Sequence, residues 1–182
     1  MKRIAAITLL LSLAVPLLGQ RTVTEITKST NKQEDERPNS DAVPDVYAIH
    51  GDIERVVVLR FKFKTDLLAG LKKAVAQEKI KNAVILAGAG SVRGYHYHSV
   101  SNRDFPSKNV LVKDLTHPAD ILSMNGYIID GRLHPHITFS DEEHAFGGHL
   151  EPGTEVFTFA VVTIGVLSGE AGLARVDDKT NR

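Results

Sequence analysis

Three histidines in the C-terminal half of the chain have the residue type and the spacing of a metal site. His134 and His136 are separated by one residue in a run that predicts a β-strand, so both imidazoles are expected on the same face. His149 follows thirteen residues after His136, and a hairpin would return it to the first two. Three neutral imidazoles with an open position are a ligand set of catalytic zinc. Solvated surface histidines are the competing interpretation, because such pairs also occur by chance.

The residues between these histidines leave alternatives open. Gly147 and Gly148 directly precede His149, and they suit either a close approach of the backbone or an ordinary β-bulge. Pro135 lacks a ladder donor, so its strand is expected at an edge or a bulge. Among the acidic residues 141–143, one could act as a general base, but their crowding favours a solvated hairpin tip.

The remaining histidines have weaker patterns. His96 and His98 repeat the one-residue spacing beside Tyr95 and Tyr97, and we interpret them as surface or interface residues on an alternating strand. His144 could be a fourth ligand or a hydrogen-bond partner of one, but a solvated turn residue is the interpretation that we favour. Metal binding is therefore expected at His134, His136 and His149 alone.

The elements that must position these residues are mostly strands. Residues 55–63 predict a strand, Thr65 an N-cap, and residues 67–78 an amphipathic helix with Asp66 in its first turn. The glycine-rich residues 88–94 match no phosphate-binding motif and predict a crossing between strands. The fold class is therefore α+β, a mostly antiparallel sheet with one main α-helix packed on it. The later strands are expected at 83–87, 95–99, 110–113, 120–129, 133–139, 145–150 and 156–167, the last central and buried on both faces.

The N-terminus predicts export. Lys2 and Arg3 precede an apolar run at 4–18, which is typical of a secretory signal and short for a spanning helix. Cleavage is expected near Gly19 or Gln20, which makes the protein periplasmic or secreted; an uncleaved anchor is the alternative. The predicted organisation is a signal peptide at 1–20, a disordered polar linker at 21–44, one domain at 45–176 and a polar tail at 177–182.

The amino-acid composition excludes several kinds of site and disfavours one class of partner. The 182 residues include no cysteine, which excludes disulfides, thiolate metal sites and cysteine nucleophiles. Basic and acidic residues number 22 each, so the chain lacks the positive excess of a nucleic-acid binder.

Three segments resemble the PPC (plants and prokaryotes conserved) domain, also known as the AT-hook-associated domain. They are KTDLLAGLKKAVAQEKIKNAVILAGAGSV, ADILSMNGYIIDGRLHPHITFSD and FGGHL. The resemblance implies a compact α+β domain, a homotrimer, and His134, His136 and His149 as ligands of a metal usually taken as zinc. The family's link to DNA comes from members with separate AT-hooks, and this chain has neither such a hook nor a basic tail.

Three functions follow as hypotheses. The first is an exported homotrimer that binds a divalent metal, in the first place zinc, through the three histidines, with an unknown small-molecule ligand or a hydrolytic role. The second is a DNA-binding PPC-domain protein. The third is a cupin-like metalloenzyme, but Ile128 replaces the glycine expected six residues before His134, and Glu142 is displaced from the acidic ligand's position.

Overall fold

The computed structural model describes residues 21–27, 44–169 and 171–177. The predicted signal peptide, most of the predicted linker and the end of the polar tail lie outside this range. No helix among the described residues has the length and apolarity needed to cross a membrane. The described elements are, in chain order, β1 (Thr22–Thr27), β2 (Ile53–Lys62), α1 (Leu67–Gln77), β3 (Ala83–Val100), β4 (Lys108–Asp114), β5 (Ala119–Ile129), β6 (Arg132–Ser140), β7 (Ala145–Leu150), β8 (Glu155–Leu167) and a 3₁₀-helix (Leu173–Asp177).

All eight strands belong to one sheet, and every pairing is antiparallel, which confirms the α+β prediction. The long strand β3 organises it. The first part of β3 pairs with β5 and β8, and its last part pairs with β4 and β7. Because β5, β6 and β7 also pair in sequence, β3, β5, β6 and β7 form a closed ring of strands.

The prediction of a glycine-rich crossing at 88–94 was wrong, because these residues continue β3 without interruption. A Cβ at Gly88 would overlap the Met124 side chain of β5, and one at Gly90 would overlap the backbone of β8. Gly90 also has a φ of 143°, which side chains rarely tolerate. The glycines therefore let three strands approach closely, and they do not end the strand.

Helix α1 covers one side of the sheet with a fully apolar face. Leu67, Leu71 and Val75 are buried against Phe61 of β2 in the main core. The sequence had suggested Thr65 as the N-cap, but the N-cap is Asp66. The Asp66 carboxylate accepts a hydrogen bond from the Ala69 amide at 2.8 Å.

Strand β8 is central, as predicted, since it pairs with both β2 and β3. The prediction that it is buried on both faces was wrong. Val156, Ala160 and Val162 are buried, but Phe157 and Phe159 are 47% and 45% exposed on the opposite face. The nearly continuous apolar run therefore combines a core face with an apolar outer face.

Strand β1 corrects the prediction of a disordered linker at 21–44, at least for its first residues. Thr22–Thr27 pairs with β4 along its whole length. All six residues are exposed, so backbone hydrogen bonds to the edge of β4 hold the strand, aided by a Lys108–Glu25 ion pair at 3.3 Å. Five of the six residues in TVTEIT are β-branched, Glu25 being the exception, and this is the signal that the sequence offered.

Candidate metal centre

Two hairpins bring the three histidines of the predicted site together. Strands β5 and β6 are joined by Asp130 and Gly131, whose φ values of 49° and 74° are those of a tight two-residue hairpin turn. Strands β6 and β7 are joined by a turn in which the Asp141 carboxylate accepts from the Glu143 and His144 amides at 2.9 and 2.7 Å. The second turn sets the register that pairs His136 with His149, and the first sets the register of β5 against β6.

The resulting geometry agrees with the spacing argument. His134 and His136 lie on one face, with their Nε2 atoms 3.3 Å apart. The His149 ring lies edge-on to both, at centroid distances of 4.7 Å and 5.3 Å. One ring nitrogen from each of the three histidines lies within 4.8 Å of the other two. The three side chains could therefore hold one metal ion.

The electrostatics of the cluster favour neutral imidazoles. Burial, together with the neighbouring His98, His134 and His136, lowers the pKa of His149 from 6.5 to about 4, while Glu151 opposes the shift. Burial and the neighbouring His134 and His98 also lower the pKa of His136. Neutral imidazoles present lone pairs at neutral pH, so this donor set fits a cation.

The structure shows what the residues around the cluster do. Gly147 and Gly148 serve close approach: a Cβ at either position would overlap backbone atoms of a neighbouring strand. Tyr127 stacks on the His134 ring at 4.7 Å with an interplanar angle of 10°. Pro135 does not mark an edge strand, because β6 pairs on both sides, but it lies one residue beyond the β6–β7 ladder.

The acidic turn does not join the cluster. His144 is 69% exposed and lies 3.8 Å from Asp141 and from Glu143, which agrees with its interpretation as a solvated turn residue. The Asp141 carboxylate is engaged by the turn's own amides. None of these groups is in the set of ligating residues found among the described residues.

The second pair of histidines, His96 and His98, alternates on β3 with two buried tyrosines. Tyr95 and Tyr97 are 4% and 5% exposed and belong to the core. His98, on the outer face, has its ring 4.7 Å from that of His149 and its Nδ1 2.6 Å from a Glu151 oxygen. In the sequence, the only indication that His98 lies beside the cluster was that His96 and His98 repeat the spacing of His134 and His136.

An open cleft of about 390 Å³ adjoins the cluster. His136 forms one wall, and the glycines before His149 expose backbone there. Asn125 and Thr138 contribute an amide and a hydroxyl to its lining. The cleft has room for a small molecule next to a cation held by the histidines.

The family comparison covers most of this domain. The model of the Plants and Prokaryotes Conserved (PCC) domain matches residues 48–168. Among curated protein sequences, none matches the chain.

Three solved structures are similar to the chain. A metal-containing protein from Archaeoglobus fulgidus is 25% identical, with a TM-score of 0.58 over 69% of this chain and 89% of that one. A plant- and prokaryote-conserved protein from Pyrococcus horikoshii is 24% identical, with a TM-score of 0.55 over 71% and 87% of the two chains. A hypothetical protein from Salmonella, also 24% identical at a TM-score of 0.55, covers 66% and 81%. The latter two support the fold alone.

Proposed function

The chain belongs to the Plants and Prokaryotes Conserved domain family, and we propose that it is a metal-binding member of that family in which His134, His136 and His149 hold one divalent cation per chain. The convergence of three imidazole nitrogens within 4.8 Å carries the proposal. The similar protein from Archaeoglobus fulgidus is described as metal-containing, which supports it independently.

Zinc is the cation that we propose. Imidazole suits zinc, copper, nickel and iron, so supply and geometry select among them. A closed structural zinc site is commonly rich in thiolates, and this chain has no cysteine. An all-imidazole set with a neighbouring cleft instead resembles sites that keep a position open to a ligand.

The cleft beside His136 is where we place the small-molecule ligand. A bound cation would supply Lewis acidity toward an oxygen of that ligand. Asn125 and Thr138 would orient the ligand through hydrogen bonds. We assign no general base, so a hydrolytic role remains a hypothesis that substrate screening with the metal-loaded protein would test.

We propose that the protein forms a homotrimer, and the exposed outer face of β2 and β8 supports this. Val56, Val58, Phe157 and Phe159 are between 45% and 64% exposed on these two paired strands, and exposed large apolar side chains of this kind are available for an interface. Export to the periplasm or beyond is likewise a proposal, and it depends on Lys2, Arg3 and the apolar run that follows.

The composition argues against DNA binding. Equal numbers of basic and acidic residues provide little net attraction to phosphates. A gel-shift titration at about 0.15 M salt is therefore expected to show no complex. Submicromolar binding that weakens steeply with added salt would restore the DNA-binding alternative.

Elemental analysis of purified protein tests the metal proposal. The parent chain is expected to bind one equivalent of zinc after loading and desalting, and His136→Ala is expected to lose most of it. His96→Ala is the control, because it also removes a strand histidine, but one whose Nδ1 lies 2.8 Å from the Pro152 carbonyl oxygen and which is not in the cluster. Full occupancy in His136→Ala would refute the assignment.

A further inference from the structure

Four side chains on the outer face of the sheet form one row across four strands. In the antiparallel registers, Asn125 of β5 is opposite His136 of β6, His136 is opposite His149 of β7, and His149 is opposite His98 of β3. Directly opposed residues of antiparallel strands project to the same face with neighbouring Cβ atoms. His98 is therefore next in line to the proposed ligands, on the other side of His149 from His136.

His98 has a defined orientation. Its Nδ1 lies 2.6 Å from the Glu151 carboxylate, and both side chains are only 26% exposed. A carboxylate can only accept, so Nδ1 carries the proton and donates it, and the neutral ring then has its lone pair at Nε2. Metal-ligating histidines almost always have their other ring nitrogen fixed in this way. Of the three histidines in the row, His98 is the one for which the described residues provide a carboxylate as hydrogen-bond partner.

The His98 ring also lies against the cluster. Its centroid is 4.7 Å from that of His149, with an interplanar angle of 30°. His98 is not one of the three residues whose ligand atoms all lie within 4.8 Å of one another, so its side chain would have to turn toward them to share a cation. His96 has a fixed Nδ1 too, but no ring contact with the cluster is seen for it, so the two histidines of the pair differ in this respect.

We propose that His98, oriented by Glu151, is a fourth protein ligand of the metal held by His134, His136 and His149. The inference rests on the proposed metal site. It predicts four imidazole nitrogens around the metal, a set suited to copper and nickel as well as zinc, so the small-molecule ligand of the proposed function would take a fifth position.

Copper provides the direct test, because pulsed electron paramagnetic resonance detects the remote nitrogens of coordinated imidazoles. The parent chain loaded with one equivalent of Cu²⁺ is expected to give the signal of four imidazoles, and His98→Ala that of three. His96→Ala is expected to match the parent. Three imidazoles in both the parent and His98→Ala would overturn the proposal.

Affinity gives a second readout. In competition with a zinc chelator, His98→Ala and Glu151→Gln are each expected to bind zinc about 10- to 100-fold more weakly than the parent. Glu142→Gln, on the exposed turn, is the control for loss of a carboxylate. Circular dichroism and the unfolding midpoint verify that each variant is folded, and His98→Gln replaces any alanine variant that is not. Unchanged zinc affinity in folded His98 variants would overturn the ligand role, and unchanged affinity in Glu151→Gln would overturn the orienting role.

The two proposals fail in different ways. If the parent binds no metal, the proposed function is wrong. If the parent binds one metal through three imidazoles and His136→Ala does not bind it, only the role of His98 is wrong.

Discussion

Protonation of His149 should make the metal-free protein sensitive to mild acid. Burial and three neighbouring histidines lower the pKa of His149 from 6.5 to about 4 in the folded chain. Between these values the unfolded chain binds a proton that the folded chain does not. The stability contributed by a neutral His149 is therefore complete at neutral pH and is lost as the pH falls through 6.5 toward about 4.

The magnitude follows from linkage. A pKa lowered from 6.5 to about 4 corresponds to about 3 kcal/mol when the pH is below both values, and to about 2.5 kcal/mol at pH about 4.5. His149 is only partly buried, so solvent screening reduces the expected effect to about 1–2 kcal/mol.

The assay compares the parent with His149→Gln, whose amide does not titrate. Urea unfolding in the presence of a chelator, at one protein concentration, gives the free energy of unfolding at pH about 7.5 and about 4.5. The parent is expected to lose about 1–2 kcal/mol more than the variant on acidification. Equal losses in the two proteins would refute the argument that the fold disfavours a charged His149.

The remaining predictions concern the helix, the assembly and export. Asp66→Ala should cost about 1–2 kcal/mol in urea unfolding, because the carboxylate caps α1 and also accepts from the Gly153 amide at 2.6 Å; a change near zero would contradict this. Light scattering should give about three times the chain mass, and Phe159→Asp should shift the protein toward smaller species if the outer face of β8 is the interface. Mass spectrometry of protein from its native host should show loss of roughly the first twenty residues, whereas an intact Met1 in the cytoplasm would exclude export.

Local patterns were enough to predict most strands and the core of the candidate site. The two-residue period of a strand placed His134 and His136 on one face, and Asp130-Gly131 is a hairpin signal that fixes the register of β5 and β6. The span of β7 was predicted without error, at Ala145–Leu150. These features depend on residues close together in the chain, which is why the sequence alone revealed them.

Features that depend on distant strands were not predictable in the same way. The glycines of β3 indicate a break when they are considered locally, and only the close approach of β5 and β8 explains why the strand continues. Tyr95 and Tyr97 alternate with histidines, and the pattern does not say which of the two sets faces the core. Strand β1 forms because β4, about 85 positions later, offers an open edge.

The same distinction explains why His98 was not identified as part of the site. Its neighbours His149 and Glu151 are more than fifty positions away, and they reach it only because β3 is long enough to pair with β7 after pairing with β5. The closed ring of β3, β5, β6 and β7 thus has a chemical consequence. An open sheet would leave His149 on an edge strand with His136 on one side only. Closure through β3 instead encloses His149 between two histidines, and this enclosure both lowers its pKa and places a fourth imidazole within reach of the cluster.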